Sequence, residues 1–312
     1  MITAIIVTYN SEDHVEGCIK SILSSRGADV GEVIVVDNAS SDKTREKVTG
    51  VAEELGGVRL ISLGKNMGFP YACNVGAAAA RGDMLAFVNP DVRVSSTCLS
   101  RLADVLGGDV AGVQPLLLRP GGALDSAVGV MDVLGHGYTE AAQGVREALY
   151  PCFACTLTPR RTFIELGGLD PSFFLYNEDL DYGLRAWSRG YRILFNPYAV
   201  AVHAGSHSTR RTPFYATYFS RRNRILTLAR NTPLHHSIPA SLLLAALYLA
   251  EALARGRRHT RLTLRLLASA ARMAPRAAKT GGRRLPPKAR RLVRARLTGP
   301  AMRLSELLGG RG

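Results

Sequence analysis

Residues 3–44 read TAIIVTYNSEDHVEGCIKSILSSRGADVGEVIVVDNASSDKT. Two short apolar runs, AIIV and VIVV, each end in polar residues and flank a stretch with helical spacing. Strands buried on both faces of a parallel sheet are written as continuous runs of this kind, and a parallel pair needs a crossover, usually a helix. The stretch therefore predicts strands at Thr3–Val7 and Glu32–Val36, with a helix over Asp13–Ser25 between them.

The alternation continues outward. A helix is expected over Asp42–Leu55, with Ser40 or Ser41 as its cap, then a strand at Val58–Ser62, a helix over Tyr71–Ala80 and a strand at Met84–Val88. Alternating elements of this kind predict an α/β fold: a doubly wound, mostly parallel sheet forming a nucleotide-binding half over residues 1–115. From Leu116 to Pro151 the chain is Gly-rich and weakly periodic, which reads as loops and short strands shaping a pocket. A further helix runs from near Asp179 to Gly190, a suitable C-terminal glycine, and RILFNPYAVAVHAGSHS (192–208) reads as a strand pair. Beyond Arg221 the pattern turns helical, and Pro233 leads into an apolar segment, Ile238–Ala254. The expected division is a domain over 1–230, its second half from 116 being catalytic and acceptor-binding, and a helical, basic, amphipathic extension over 231–312.

The formal charge of +15 is not spread evenly. Residues 1–250 hold 23 Lys/Arg and 23 Asp/Glu, whereas the chain from Glu251 onward holds 17 and 2. A neutral body with a basic tail differs from a nucleic-acid binder, and the tail lacks aromatic residues on which bases would stack. The five cysteines, an odd and scattered set, favour a reducing compartment. Cys152 and Cys155 form a CxxC, but no further pair of ligands stands near them for zinc. MITAIIVTYN has no basic n-region, so the body is expected in the cytoplasm.

Ligands of an open parallel sheet bind beyond the carboxyl ends of its strands. After the first strand come Thr8, Tyr9 and Asn10; after the second comes Asp37, which can accept the imide N–H of uracil or thymine or can belong to simple turn chemistry in DNASSD. In GKNMGFPYACNVGAAAARGD (64–83), Asn66, Asn74 and Arg81 are candidates to meet phosphate or sugar, and Gly68 lets backbone approach a ligand. LAFVNPDV (85–92) sets Asn89 and Asp91 at the rim, where Asp91 can share Mg2+ or Mn2+ with a diphosphate, unless NPD is only a turn. Asp179 is the candidate base for an acceptor proton, with Glu178 orienting it or the acceptor. Asp181 points elsewhere on the same helix, and its spacing to Arg185 suits a structural ion pair. His203, after an apolar run, is either a metal ligand or a structural histidine.

Taken together, TAIIVTYNS, VIVVDNASSDKT, KNMGFPYACNVGAAAARGDMLAFVNPDV and GGLDPSFFLYNEDLDYGLRAW resemble family 2 glycosyltransferases, in particular the bacterial rhamnosyltransferase-like branch, over roughly residues 2–230. The resemblance implies a GT-A fold, an inverting single displacement and a nucleotide sugar bound with Mg2+ or Mn2+. It makes Asp37 the base-recognising acid, Asp91 the metal carboxylate of a DxD-type motif, Asp179 the catalytic base and His203 a residue that helps hold the metal. Asn89 replaces the first acid of that motif, which leaves one direct carboxylate. The branch points to dTDP-rhamnose as donor, with UDP-linked galactofuranose, GlcNAc or another hexose as the alternative, and to a glycan or polyprenyl-linked glycan of the cell envelope as acceptor. A non-catalytic nucleotide- or nucleic-acid-binding protein is the reading from another class.

The segment Ile238–Ala254, interrupted by Pro239 and Glu251, is shorter than the ~20 apolar residues a bilayer needs and reads as an interfacial helix. Arginines alternate with leucines after it, as on helices lying on anionic lipid, where each basic side chain contributes about 1 kcal/mol. The expected location is peripheral, on the inner face of the cell membrane; packing on the body is the alternative.

Overall fold

The computed structural model describes residues 1–205, 213–280 and 285–294. Strands β1 (Ile2–Thr8), β2 (Val30–Asp37), β3 (Val58–Ser62) and β4 (Met84–Val88) run parallel in the order β4-β1-β2-β3. Their register pairs Thr8 with Asp37 and Asp37 with Ser62, so the polar residues that end the apolar runs share one rim. Side chains of these strands alternate between two cores. Ile5, Ile34 and Val36 pack toward α3 (Phe69–Ala79), while Ile6, Val33 and Val35 pack against α1 (Val15–Leu23) and α2 (Thr44–Leu55).

Helix starts differ from the sequence reading for local reasons. Neither Ser40 nor Ser41 caps α2: Ser40 turns to Asp37, and Asp42 Oδ1 accepts from Thr44 N at 3.0 Å instead. Pro70 lies in the first turn of α3, where a missing N–H costs nothing.

The second half is a mixed extension of the sheet. It comprises β5 (Val92–Val94), α4 (Cys98–Ala103), β6 (Val110–Leu118), β7 (Leu124–Ser126), β8 (Val128–Asp132), β9 (Gly137–Glu140), β10 (Arg146–Ala148), β11 (Cys155–Pro159), α5 (Arg160–Glu165), α6 (Glu178–Ser188) and β12 (Arg192–His203). Strand β11 runs antiparallel between β4 and β6, β12 lies parallel beside β6, and the sheet reads β10-β12-β6-β11-β4-β1-β2-β3. RILFNPYAVAVH is one strand rather than two. A register shift between Asn196 and Val200 bends it, and Asn196 holds the bend by donating to Arg101 O and accepting from Tyr198 N. The end of the expected second strand, from residue 206, lies outside the described residues.

Three helices follow, α7 (Pro213–Asn231), α8 (Leu234–Ala254) and α9 (Arg257–Thr280), around a core that includes Ile225, Leu228, Leu244, Tyr248 and Leu266. Helix α8 corrects the shorter expectation: it is continuous over 21 residues, absorbs Pro239, and is long and apolar enough to cross a membrane by length and composition alone. Glu251 does not interrupt it, because Arg221 at 2.6 Å and Arg255 at 3.1 Å neutralise the carboxylate. After α10 (Pro287–Arg290), β13 (Val293–Arg294) returns to pair with β8; Ala289 is buried in the main core and Arg294 pairs with Glu140 at 2.7 Å. Part of the basic segment is therefore stitched to the body.

Candidate functional site

The rim is built from the ends of β1, β2 and β4. Asp37, fully buried, accepts from Thr8 Oγ1 at 3.0 Å, from Ser40 N at 3.1 Å and from Ser40 Oγ, and Arg45 Nε stands 3.8 Å away. Ser40 Oγ also accepts from Asn10 N at 2.9 Å, and Asn10 Oδ1 accepts from Ser41 N at 2.8 Å. A carboxylate held by this many donors is fixed in place before any ligand arrives. Tyr9, beside it, is 41% exposed.

A second set of bonds shapes the next loop. Asn38 accepts from Met67 N at 2.8 Å and donates to Asn66 Oδ1 at 2.9 Å, and that oxygen also accepts from Gly68 N at 3.0 Å. Gly68 has φ of +87°, and a Cβ there would lie 2.6 Å from Phe174 O. Phe69 N donates to the same carbonyl at 2.8 Å, tying this loop to the segment that precedes the acidic pair.

Two predicted residues are not brought to the rim as ligand-binding groups. Asn74 spends both ends of its amide on Leu169, donating to its carbonyl at 2.6 Å and accepting from its N–H at 2.9 Å. It clamps α3 to the GGLD turn. Arg81 precedes β4, and its N–H bonds Glu32 at the start of β2, so it lies at the opposite rim. The five residues of β4 separate the two rims by roughly 17 Å.

Asn89 and Asp91 follow β4, and antiparallel pairing of β5 with β12 sets His203 opposite Val92. Ala204 N donates to Asp91 O at 2.9 Å, fixing the turn. His203 Nε2 lies 3.3 Å from Asp91 Oδ1, buried and without a hydrogen bond, while Nδ1 lies 2.7 Å from Asp125 Oδ2. Burial opposes charge on His203, but its contacts with Asp125 and Asp91 outweigh burial and push the imidazole up to about 9. Burial likewise opposes charge on Asp91, yet His203 holds its carboxyl below the usual range.

This pair fits a divalent cation. A buried ring nitrogen lacks a hydrogen-bond partner, a carboxylate faces it, and 3.3 Å is close to the separation of neighbouring ligands on one six-coordinate ion with bonds of about 2.1 Å. With these two residues as ligands, such an ion would keep positions for phosphate oxygens and water, the usual arrangement for Mg2+ at phosphate sites. A cation there would displace the imidazole proton.

Glu178 and Asp179 open α6. Burial raises the pKa of both, and the neighbouring Asp179 charge raises Glu178 further. Glu178 is buried with Oε2 unpartnered, whereas Asp179 is half-buried and accepts from Leu180 N at 2.7 Å. Phe174, Tyr176 and Asn177, just before them, all have φ near +65°, a conformation that non-glycine residues hold only when their surroundings impose it. Asn223 and Arg222 of α7 impose it here. Asn223 Nδ2 donates to the carbonyls of Phe173, Leu175 and Tyr176, each at 2.8 Å, and Arg222 donates to those of Ser172 and Phe173.

Asp181 is structural, as its spacing predicts. It accepts from Arg185 at 2.8 Å, Arg230 at 3.1 Å and Asn231 at 3.0 Å. Asp125, Arg222, Asn223 and Arg230 escaped the sequence reading. A signal existed for α7, where Asn223, Thr227 and Asn231 form a polar stripe at helical spacing; none existed for Asp125 in the Gly-rich middle.

Residues 3–181 match the profile of Glycosyl transferase family 2. The N-acetylglucosaminyl-diphospho-decaprenol L-rhamnosyltransferase of Mycobacterium tuberculosis is 26% identical over 246 residues, covering 68% of this chain and 79% of its own. Among solved structures, GalNAc-T7 with UDP, GalNAc and Mn2+ has a TM-score of 0.61 at 15% identity, over 74% of this chain and 48% of that one. The mannosyltransferase PcManGT of Pyrobaculum calidifontis, in complex with GDP-Man and Mn2+, has a TM-score of 0.56 at 17% identity, over 88% and 86%.

The fold is that of a GT-A glycosyltransferase, a parallel half continued by a mixed half. The chain belongs to glycosyl transferase family 2, in its rhamnosyltransferase-like branch, and is a hexosyltransferase.

Proposed function

We propose that the protein transfers a sugar, with inversion, from a dTDP- or UDP-linked donor to a polyprenyl-linked glycan of the cell envelope, and that the donor is dTDP-rhamnose. The M. tuberculosis relative, by its name, transfers L-rhamnose to an N-acetylglucosaminyl-diphospho-decaprenol. The observation that carries the reading is the convergence of a buried, pre-bonded Asp37 and the Asp91–His203 pair beyond the carboxyl ends of one sheet.

In this reading Asp37 accepts the imide N–H of the base, with Thr8, Tyr9 and Asn10 around it, and Asn66, Gly68 and Asn89 line the path of the donor. Asp91 and His203 would hold Mg2+ or Mn2+, which would offset charge on the departing diphosphate. Asp179 takes the proton of the acceptor hydroxyl as its oxygen attacks the anomeric carbon in line and the bond to the diphosphate breaks. Glu178 orients Asp179 or the acceptor.

Residues 1–230 act as the catalytic domain and the helices after them as its membrane-facing part. On α8 one face packs inward through Ser237, Leu244 and Tyr248, while Ile238, Leu242, Leu243 and Leu253 stand exposed. Seven exposed cations of α9, from Arg257 to Lys279, lie beside it. An apolar face next to a basic one suits the headgroup boundary of an anionic leaflet, as on the inner face of the cell membrane.

The experiment is thermal-shift stabilisation by dTDP, UDP and their sugars, with and without Mn2+. Metal-dependent stabilisation by a pyrimidine diphosphate is expected; folded protein that responds to no nucleotide overturns the reading.

A further inference from the structure

We propose that Asp125 is a positioning residue: it fixes the tautomer and ring plane of His203 so that Nε2 is presented to the cation shared with Asp91. The inference rests on the metal reading of that pair.

His203 is gripped from two sides. On one side β12 pairs with β5, and the turn bond from Ala204 N to Asp91 O sets the ring beside Asp91. On the other side β12 lies parallel to β6, Val202 opposite Leu118, and β6 pairs antiparallel with β7, Leu118 opposite Leu124 and Leu117 opposite Ser126. That second pairing delivers Asp125 to Nδ1 at 2.7 Å. Asp125 is itself steadied by Arg119 Nε at 3.2 Å, and β7 is held by Gln114, which donates to Ala127 O and accepts from Cys152 N at 2.6 Å. The Gly-rich middle thus has a structural purpose beyond closing a pocket.

The chemistry follows from the ring. A neutral imidazole carries one N–H, and a carboxylate at hydrogen-bond distance from Nδ1 draws it there, leaving the lone pair on Nε2. In the metal-free ring the 3.3 Å gap between Nε2 and Asp91 Oδ1 holds a proton, and a bound cation would take that proton's place. A carboxylate behind a metal-bound histidine also raises the basicity of the ligating nitrogen, and removing such a partner typically weakens metal affinity by about 10–100-fold. A purely structural Asp125 would support folding and leave metal affinity alone.

The test uses the full chain, with Mn2+ binding followed by electron paramagnetic resonance in the presence of saturating UDP or dTDP. Asp125→Asn is nearly isosteric, and Asp125→Glu keeps the carboxylate; Asp125→Ser stands in should the first variant fold poorly. Mn2+ affinity is expected to fall by about 10–100-fold in Asp125→Asn and to recover in part in Asp125→Glu. Nucleotide affinity without metal should be unchanged, and Asp125→Asn should add little to the loss seen in His203→Ala. Mn2+ affinity within about twofold of wild type in folded Asp125→Asn, with His203→Ala impaired, overturns this proposal alone. Unchanged affinity in His203→Ala as well overturns the metal reading with it.

Discussion

Asn231 Nδ2 donates to Asp181 Oδ1 at 3.0 Å, joining α7 to α6 across fifty residues of sequence. With Arg185 and Arg230 on its other oxygen, Asp181 is a fully buried hub, while Asp179, two residues earlier, is half-buried at the end of the same helix. The two aspartates should separate cleanly on mutation. Asp181→Asn leaves the buried Arg185 guanidinium without its carboxylate, while Arg230 keeps Asp170 at 2.6 Å, and should cost about 3–5 kcal/mol. Asp179→Asn should keep or raise its melting temperature, keep its donor affinity and lose about 100-fold or more in turnover. Thermal melts and single-turnover transfer on both variants check this; wild-type-like transfer by Asp179→Asn would sink its role as base.

The acidic pair predicts a pH signature. Burial raises both carboxyls above the ordinary range of about 4, so the acid limb of kcat/KM should sit above that range and belong to the pair rather than to one residue. Removing the neighbouring acid in Glu178→Gln should simplify the limb to a single ionisation. An acid limb at ordinary carboxylate values would contradict the assignment.

Stability should carry the opposite face of the same effect. The native state holds the Glu178 proton more tightly than the unfolded chain does, so stability falls as pH rises from the ordinary carboxylate range through the raised native value, and is lowest above it. Glu178→Gln should therefore stabilise the protein at about pH 9, by on the order of 2 kcal/mol, and change little at about pH 4.5. A melt series across pH measures it; equal shifts at both ends would argue that Glu178 is paired.

Asn223 holds three carbonyls of a left-handed segment with one amide nitrogen. In Asn223→Asp a charged acceptor faces those oxygens, and a loss of about 3 kcal/mol or more is expected. Asn223→Ala should cost about 1–3 kcal/mol and lower turnover more than donor affinity, because the segment leads directly into Glu178. Unaltered turnover in a stable Asn223→Ala would show that the loop holds its shape unaided.

Gly183 lets α6 approach the chain at Leu149 and Tyr150: a Cβ would overlap the Leu149 carbonyl oxygen and lie 2.5 Å from Tyr150 Cα. Backbone cannot yield as a side chain can, so Gly183→Ala should cost about 3 kcal/mol and displace the helix that carries Asp179. Calorimetry and transfer assays on this variant read both effects.

The membrane face is tested on exposed positions, because truncation would also remove β13 and the buried Ala289. Ile238→Glu with Leu242→Glu should leave the melting temperature within a few degrees and reduce sedimentation with anionic liposomes several-fold. Undiminished sedimentation would remove α8 from the contact.

Local pattern alone determined a great deal. Short continuous apolar runs ending in Thr8, Asp37 and Asn89, alternating with helical stretches, read as strands buried on both faces, so the parallel half and the rim were legible. The split between Asp179 and Asp181 was legible too, since helical spacing sends residues two apart to different faces. Tertiary structure decided what depended on partners distant in sequence. Asn74 was drawn to Leu169 and Arg81 left at the far rim, because strand direction, invisible in a motif, settles which end of β4 a residue occupies. Asp125 and His203, seventy-eight residues apart, met only through the pairing of β7, β6 and β12. Hydrophobic periodicity records which face a residue turns to the core; which polar groups then meet is fixed by strand order and register.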